Sequence, residues 1–260
     1  MDEPGPQDSE FIYVTSRVFS DRGDLQHVDL LRLNTLTGRA QPVPRPGLTR
    51  EWPLDPKGAP RLASSIKDNL ATIHYRDPAS GQWRDLVSSD RYLGGAGAFD
   101  PLGFGPDGTL YVVASRGDDT QALRTFDFAT GKVSKEALVV TPGYDFTGGL
   151  VSNRAKVLGV RLTTDARGHV WFDPAMQAVQ QAIDKVLKGT VNLISVPAQA
   201  DSAYVLVASY ADVLPTSYAL YNTRTGKFNP VGSTRPAIDS KQMGRQEPVR
   251  YRARDGLDIL

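Results

Sequence analysis

Four stretches of the chain say nearly the same thing: LLRLNTLTGRAQPV (30–43), IHYRDPASGQWRDLV (73–87), LRTFDFATGKVSKEALV (123–139) and YALYNTRTGKFNPV (218–231). Each is an alternating apolar run, a polar turn closing on Thr-Gly or Ser-Gly, and a second short strand. Glycine suits such a turn because it takes φ > 0 at little steric cost. Successive glycines, Gly38, Gly81, Gly131 and Gly226, stand 43, 50 and 95 residues apart. The double gap holds a degenerate copy, VLGVRLTTDARGHVWFDP (157–174), with its turn at Asp165 to Gly168. A second element recurs upstream of the hairpins: FGPDGTLYVVAS (104–115), AQADSAYVLVAS (198–209) and, more faintly, DSEFIYVTS (8–16). Strand pairs at this period predict an all-β chain, a partial β-propeller of about five blades between residues 8 and 235. Each blade is expected to be a four-stranded antiparallel sheet, with LYVVAS and YVLVAS as innermost strands. A β-sandwich also gives regular strands and turns, but not two turn signatures recurring at one period.

One segment breaks the pattern. FDPAMQAVQQAIDKVLKG (172–189) offers Asp173 as N-cap, Pro174 at the first helical position and Gly189 past the end. Met176, Val179, Ile183, Val186 and Leu187 fall on one face, which predicts an inserted α-helix near 174–188. Such a helix either packs on a blade's outer edge or docks a partner.

Composition excludes more than it assigns. With 40% hydrophobic and 23% charged residues, the 260-residue chain can bury a sizeable core. Thirty basic against 29 acidic residues give no support for nucleic-acid binding. The absence of cysteine removes disulfides, thiolate nucleophiles and cysteine-type zinc sites. No run approaches the roughly 18 apolar residues of a membrane span. The acidic, polar start MDEPGPQDSE has neither the basic nor the apolar part of a signal peptide, and the compartment, cytoplasmic or periplasmic, stays open.

Chemistry is sparse. No G-x-S-x-G elbow is present. Ser64 and Lys67 form an S-x-x-K spacing, but on a segment that reads as a strand. His27, His74 and His169 are far apart in sequence, and none has a second ligand at metal-binding spacing. LGGAGAFD (93–100) lacks the full phosphate-loop pattern and reads as an inter-blade loop. RGDDTQAL (116–123) lacks the further oxygen ligands of an EF-hand and reads as a hairpin turn. Trp52, Trp83 and Trp171 read as packing anchors. No catalytic, cofactor-binding or metal-binding residue is assigned, and no cofactor is expected.

The ending VRYRARDGLDIL (249–260) alternates, turns at Asp255-Gly256 and begins a second apolar run. PVRYRARDGLDI (248–259) resembles the junction between propeller and α/β-hydrolase domain in peptidases of the prolyl oligopeptidase (S9) family. The resemblance extends to EWPLDPKGAPRL (51–62), IHYRDPASGQWRDLV (73–87), GFGPDGTLYVVASRGDDTQALRTFDFATGKV (103–133), YDFTGGLV (144–151) and VWFDPAMQAVQQAIDKVLKGTVN (170–192). It implies that residues 1–247 are the C-terminal part of a propeller and 248–260 the first strand of a hydrolase domain that is not in this sequence. The function it implies is gating of peptide access to a Ser-Asp-His site in that domain, with this stretch inert alone. A stand-alone propeller scaffold for protein or peptide partners is the alternative, and a propeller enzyme with a site in its central channel a third. A ring cut at both ends is further expected to re-close or to associate with other copies through its open blade faces.

Overall fold

Asn34, Asp77, Asp127 and Asn222 stand four residues before the four repeat glycines, and they close the same turn four times. Each glycine N–H donates to that residue's carbonyl, at 2.9, 2.8, 2.8 and 2.8 Å respectively. The side-chain oxygen accepts from the amides that follow: Leu36 and Thr37 at Asn34, Ala79 and Ser80 at Asp77, Ala129 at Asp127, and Arg224 and Thr225 at Asn222. Gly38, Gly81, Gly131 and Gly226 all sit at φ between 67° and 70°, a region a Cβ disfavours. The Ser80 amide holds the Asp77 carboxyl below its ordinary range, and the Thr130 hydroxyl does the same for Asp127.

The computed structural model describes residues 9–259 apart from 96, 116 and 118. The chain forms two compact units, Met1–Phe146 and Thr147–Leu260. The first holds three antiparallel sheets. They are β1 (Phe11–Phe19), β2 (Leu25–Asn34) and β3 (Ala40–Pro42); β4 (Thr49–Glu51), β5 (Leu62–Lys67), β6 (Leu70–Arg76) and β7 (Trp83–Asp90); and β8 (Asp100–Phe104), β9 (Leu110–Ala114), β10 (Ala122–Asp127) and β11 (Lys132–Val133). The second unit holds β12 (Gly148–Ser152), β13 (Val157–Thr163) and β14 (Arg167–Trp171), then helix α1 (Pro174–Val186). It continues with β15 (Val191–Ser195), β16 (Tyr204–Ala211), β17 (Leu214–Asn222) and β18 (Lys227–Ser233), and ends on the two-stranded pair β19 (Tyr251–Arg252) and β20 (Asp258–Ile259). The five larger sheets are meanders in chain order, built as propeller blades, and the fold is the expected all-β propeller class with one inserted helix.

The turn signatures number the strands within a blade. Gly81, Gly131 and Gly226 join third to fourth strands, while the Pro-Asp-Gly and Ala-Asp-Ser turns lead into second strands, β9 and β16. Three corrections follow. Four strands per blade holds for three sheets, whereas β1–β3 and β12–β14 have three among the described residues. The degenerate copy at 157–174 is a second-to-third hairpin, β13–β14, and α1 stands where a fourth strand would begin. LYVVAS and YVLVAS are not innermost: β9 and β16 are bonded on both sides, and β8 and β15 hold the edge.

In the first unit, β4–β7 and β8–β11 share a core of Leu62, Ile73, Leu110, Val112 and Val133 with an aromatic cluster. Phe126 lies 5.0 Å from Phe99 and 5.2 Å from Phe128, whose ring lies 4.5 Å from Tyr75. In the second unit, α1 enters the core built by the two sheets it connects. Asp173 caps it, accepting from the Met176 amide at 3.0 Å, and Gly189 follows its end at φ 76°. Met176 and Ile183 are buried against Leu158, Ile194, Val205, Val207 and Tyr221. Val186, expected on this face, is 62% exposed. At 100° per residue it lies about 60° off Ile183, beyond the edge of the stripe.

Candidate functional site

Polar groups converge on one face of β4–β7. Ser65 on β5 lies diagonal to His74 on β6, and a 2.7 Å hydrogen bond joins Ser65 Oγ to His74 Nε2. His74 Nδ1 lies 2.6 Å from Asp85 Oδ1 on β7. A carboxylate only accepts, so Nδ1 carries the proton, and in the neutral imidazole Nε2 then accepts from the serine hydroxyl. Register explains the contact. A β-bulge between Ile73 and His74 moves the partner of residue 74 from 86 to 85, replacing a leucine by the acid. Thr72 and Ser88 are hydrogen-bonded on the same face at 2.9 Å, and fully buried Thr49 pairs with Ser65.

These are the pairings of a serine-hydrolase triad, but the arrangement lacks access. Ser65 is 8% and His74 6% exposed, and Gly47 packs over the hydroxyl: a Cβ there would lie 3.5 Å from Oγ. A carbonyl carbon needs an approach to Oγ and donors for its developing oxyanion, and strand backbone and neighbouring side chains fill that space. The cluster is a buried tie across three strands. Only the Asp85 carboxylate, with its side chain 67% exposed, reaches water.

Of the residues singled out from sequence, His74 is in this cluster and the others lie outside it. Ser64 and Lys67 are on strand β5, with Lys67 exposed. His27 lies 3.4 Å from Asp29, which also meets Arg45 at 3.2 Å. His169 stacks on Trp171 with ring centroids 4.6 Å apart, and burial together with cross-strand Arg161 pushes its pKa down to about 4. The three histidines stay separate, and among the described residues no group of three acids and histidines is placed to hold a metal. Each indole N–H is satisfied: Trp52 donates to the Val28 carbonyl (2.7 Å), Trp83 to that of Pro44 (3.1 Å) and Trp171 to Gln180 (3.2 Å).

Two roomy cavities each lie within one unit. One, of about 780 Å³, is lined by Gly95, Gly97 and Phe99 with Phe126, Lys132 and Lys135. The glycine-rich stretch here leads into strand β8 rather than a helix, as a connecting loop, with Ala96 outside the described residues. Arg116 and Asp118 of the acidic turn are outside them too. The other cavity, about 620 Å³, lies beside α1 and is lined by Ala175, Ala178, Val179, Pro197 and Tyr221. The Lys156–Asp173 ion pair stands at its rim, and Lys156 holds the Asp173 carboxyl below its ordinary range. Sequence reading missed the tie in β4–β7, whose members lie on three consecutive strands and meet only through the bulged register.

Comparison with known proteins follows the blades. No family model matches the sequence. A curated relative, dipeptidyl aminopeptidase BIII of Pseudoxanthomonas mexicana, is 29% identical over 163 residues, covering 62% of this chain and 23% of its own. Among solved structures, puromycin hydrolase superposes with a TM-score of 0.62 at 14% identity, over 96% of this chain and 40% of its own. A study of two prolyl endopeptidases gives 0.60 at 15% identity, over 98% and 38%. A Mycobacterium tuberculosis puromycin-hydrolyzing peptidase gives 0.56 at 10% identity, over 98% and 41%. The chain thus spans less than half the length of each of these four relatives.

Proposed function

We propose, for a chain similar in sequence and fold to the propeller portion of prolyl oligopeptidase (S9) family peptidases, that it gates peptide access to the active site of such a peptidase. The observation that carries this reading is a relative named as a dipeptidyl aminopeptidase, 29% identical over 163 residues, combined with five blade-type sheets. In this reading residues 1–247 are propeller and 248–260 lead into an α/β-hydrolase domain. Acyl transfer to water belongs to a Ser-His-Asp triad in that domain. The Ser65–His74–Asp85 cluster takes no part, because its hydroxyl is shut off from substrate.

Two measurements test the proposal. The source gene, read past the codon for Leu260, should run in frame through a G-x-S-x-G elbow, then the Asp and the His. The full-length product should cleave dipeptidyl p-nitroanilides and spare an unfolded protein. Without residues 1–247, discrimination between short and long substrates should collapse. A stop codon directly after Leu260 would refute the reading and favour a scaffold that binds protein or peptide partners. Equal discrimination with and without the propeller would leave the peptidase and remove the gate.

A further inference from the structure

We propose that the cavity beside α1 is a binding site for an uncharged, largely apolar molecule that presents a carbonyl oxygen. Its volume, about 620 Å³, lies within the range of small-molecule sites. Such sites combine apolar walls with a few placed polar groups, and this cavity has both.

The walls come from α1 and the two sheets it connects. One stripe of the helix, Met176, Val179 and Ile183, packs into the core. A second stripe, Ala175, Ala178 and Ala182 at i, i+3 and i+7, lies beside the first, stays exposed and forms one wall. Leu158 on β13 and Val205 on β16 add apolar surface. The β12–β13 and β15–β16 connections meet here, where the Arg154 amide donates to the Ala198 carbonyl at 2.8 Å. The segment that runs on to β19 crosses the other end of these sheets. There the Gln246 amide donates to Asp212 in the β16–β17 turn, and Arg250 approaches Asp165 in the β13–β14 turn. The cavity is therefore not the bed of that segment.

Tyr221 supplies the polar group. Its side chain is 6% exposed, packs on Phe228 with ring centroids 4.7 Å apart, and lines the cavity. A Cβ on Gly226 would lie 3.8 Å from its hydroxyl, which places that hydroxyl at the end of the sheet where the cavity lies. Among the described residues the hydroxyl has no hydrogen-bond partner. Its neighbours are engaged: Thr223 donates to the Ala203 carbonyl at 3.1 Å and Ser202 to that of Tyr204 at 3.3 Å. A buried phenol left in this state donates to a ligand oxygen, and a carbonyl is an acceptor that brings no charge. Charge is disfavoured by the rim. Lys156 and Asp173 are the charged residues of the lining, and they neutralise each other in an ion pair. An ionised ligand would gain one of them as a partner and meet the other as a like charge.

Prodan, an uncharged naphthalene with a propionyl ketone, is the probe, titrated by fluorescence against the 260-residue chain. Saturable one-site binding is expected, with blue-shifted emission and a dissociation constant on the order of 100 µM or lower. Ala178→Phe, at an exposed helix position, should fill the cavity and weaken binding by about tenfold or more. Tyr221→Phe should weaken it about two- to tenfold, the worth of one neutral hydrogen bond. Gln177→Phe, exposed on another side of the helix, adds the same ring outside the cavity and should change nothing. Far-UV circular dichroism confirms that each variant is folded. Absence of saturable binding overturns the proposal. So does an affinity indifferent to Ala178→Phe, which would put the dye elsewhere. Full affinity in Tyr221→Phe would overturn the role of the hydroxyl and, with it, the carbonyl ligand.

Discussion

Cutting the Ser65–His74–Asp85 tie at its buried end should cost stability, with no loss of hydrolysis. Ser65→Ala removes the donor to His74 Nε2 and leaves that nitrogen buried, with His74 6% exposed. An unsatisfied buried acceptor costs about 1–3 kcal/mol. Asp85→Ala leaves the buried His74 Nδ1–H without its acceptor and should likewise cost about 1–3 kcal/mol, towards the lower end because water reaches the place of that exposed carboxylate. His74→Phe keeps most of the ring volume but strands the serine hydroxyl. Once one partner is gone, removing the other should cost little, so the Ser65/His74 double-mutant cycle should show coupling of about 1 kcal/mol or more. Trp52 and Trp83 both lie in the first unit, so urea unfolding followed by fluorescence in a Trp171→Phe background reports on that unit. Hydrolysis of p-nitrophenyl acetate, run in parallel, should be indifferent to Ser65→Ala. Coupling below about 0.3 kcal/mol, or a serine-dependent ester rate, would refute the assignment of this cluster as a closed structural tie.

Other expectations concern the second unit. The folded-state pKa of His169 is lowered to about 4 from 6.5, so its contribution is intact above pH 6.5 and lost as pH falls from 6.5 towards 4. With the ring partly exposed, the loss should be about 1–2 kcal/mol, and His169→Phe should remove it from urea titrations at pH 7.5, 5 and 4. Ile183→Ala, at a fully buried site, should cost about 2–5 kcal/mol in the same titration, while Val186→Ala, 62% exposed, should stay within about 0.5 kcal/mol. Gly159→Ala would drive a Cβ to 2.4 Å from the Val170 carbonyl oxygen and should lower the thermal midpoint sharply or block folding. Gly149→Ala, with nothing within 4 Å, should leave the midpoint nearly unchanged.

The blades were legible because each is specified locally. Every turn needs an Asx, four residues later a glycine, and apolar alternation on both sides, and all three lie within about fifteen residues of sequence. The repeat glycines alone located these hairpins. Counting back to Asn34, Asp77, Asp127 and Asn222 would have shown that the 157–174 copy belongs to another class, because no Asx stands four residues before Gly168. Strand number within a blade was less accessible. β4 is three residues long and β11 two, too short to show a period, and each is held by its neighbour's ladder rather than by its own pattern.

The tie in β4–β7 was illegible for a different reason. Nothing in the spacing of Ser65, His74 and Asp85 brings them together, because cross-strand contact depends on register and register on turn geometry. An unbulged β6–β7 pair would set Leu86 against His74 and turn Asp85 to the other face. One extra residue in one strand therefore decides whether a buried imidazole meets a carboxylate or a leucine. The apolar pattern of WRDLVSSD does not encode that choice, since Leu86 and Val87 are adjacent and either could face inward. A histidine buried beside a leucine would leave a ring N–H without an acceptor, at a cost of about 1–3 kcal/mol. The bulge gives that N–H an acceptor in the Asp85 carboxylate, and on this argument the tie is one reason the sheet takes the irregular register. Asp85→Leu should accordingly loosen β7 without disturbing β5–β6, with amide exchange at Trp83 to Asp90 rising well above exchange at Leu62 to Lys67. Equal exchange across both segments would mean that the bulge is set elsewhere.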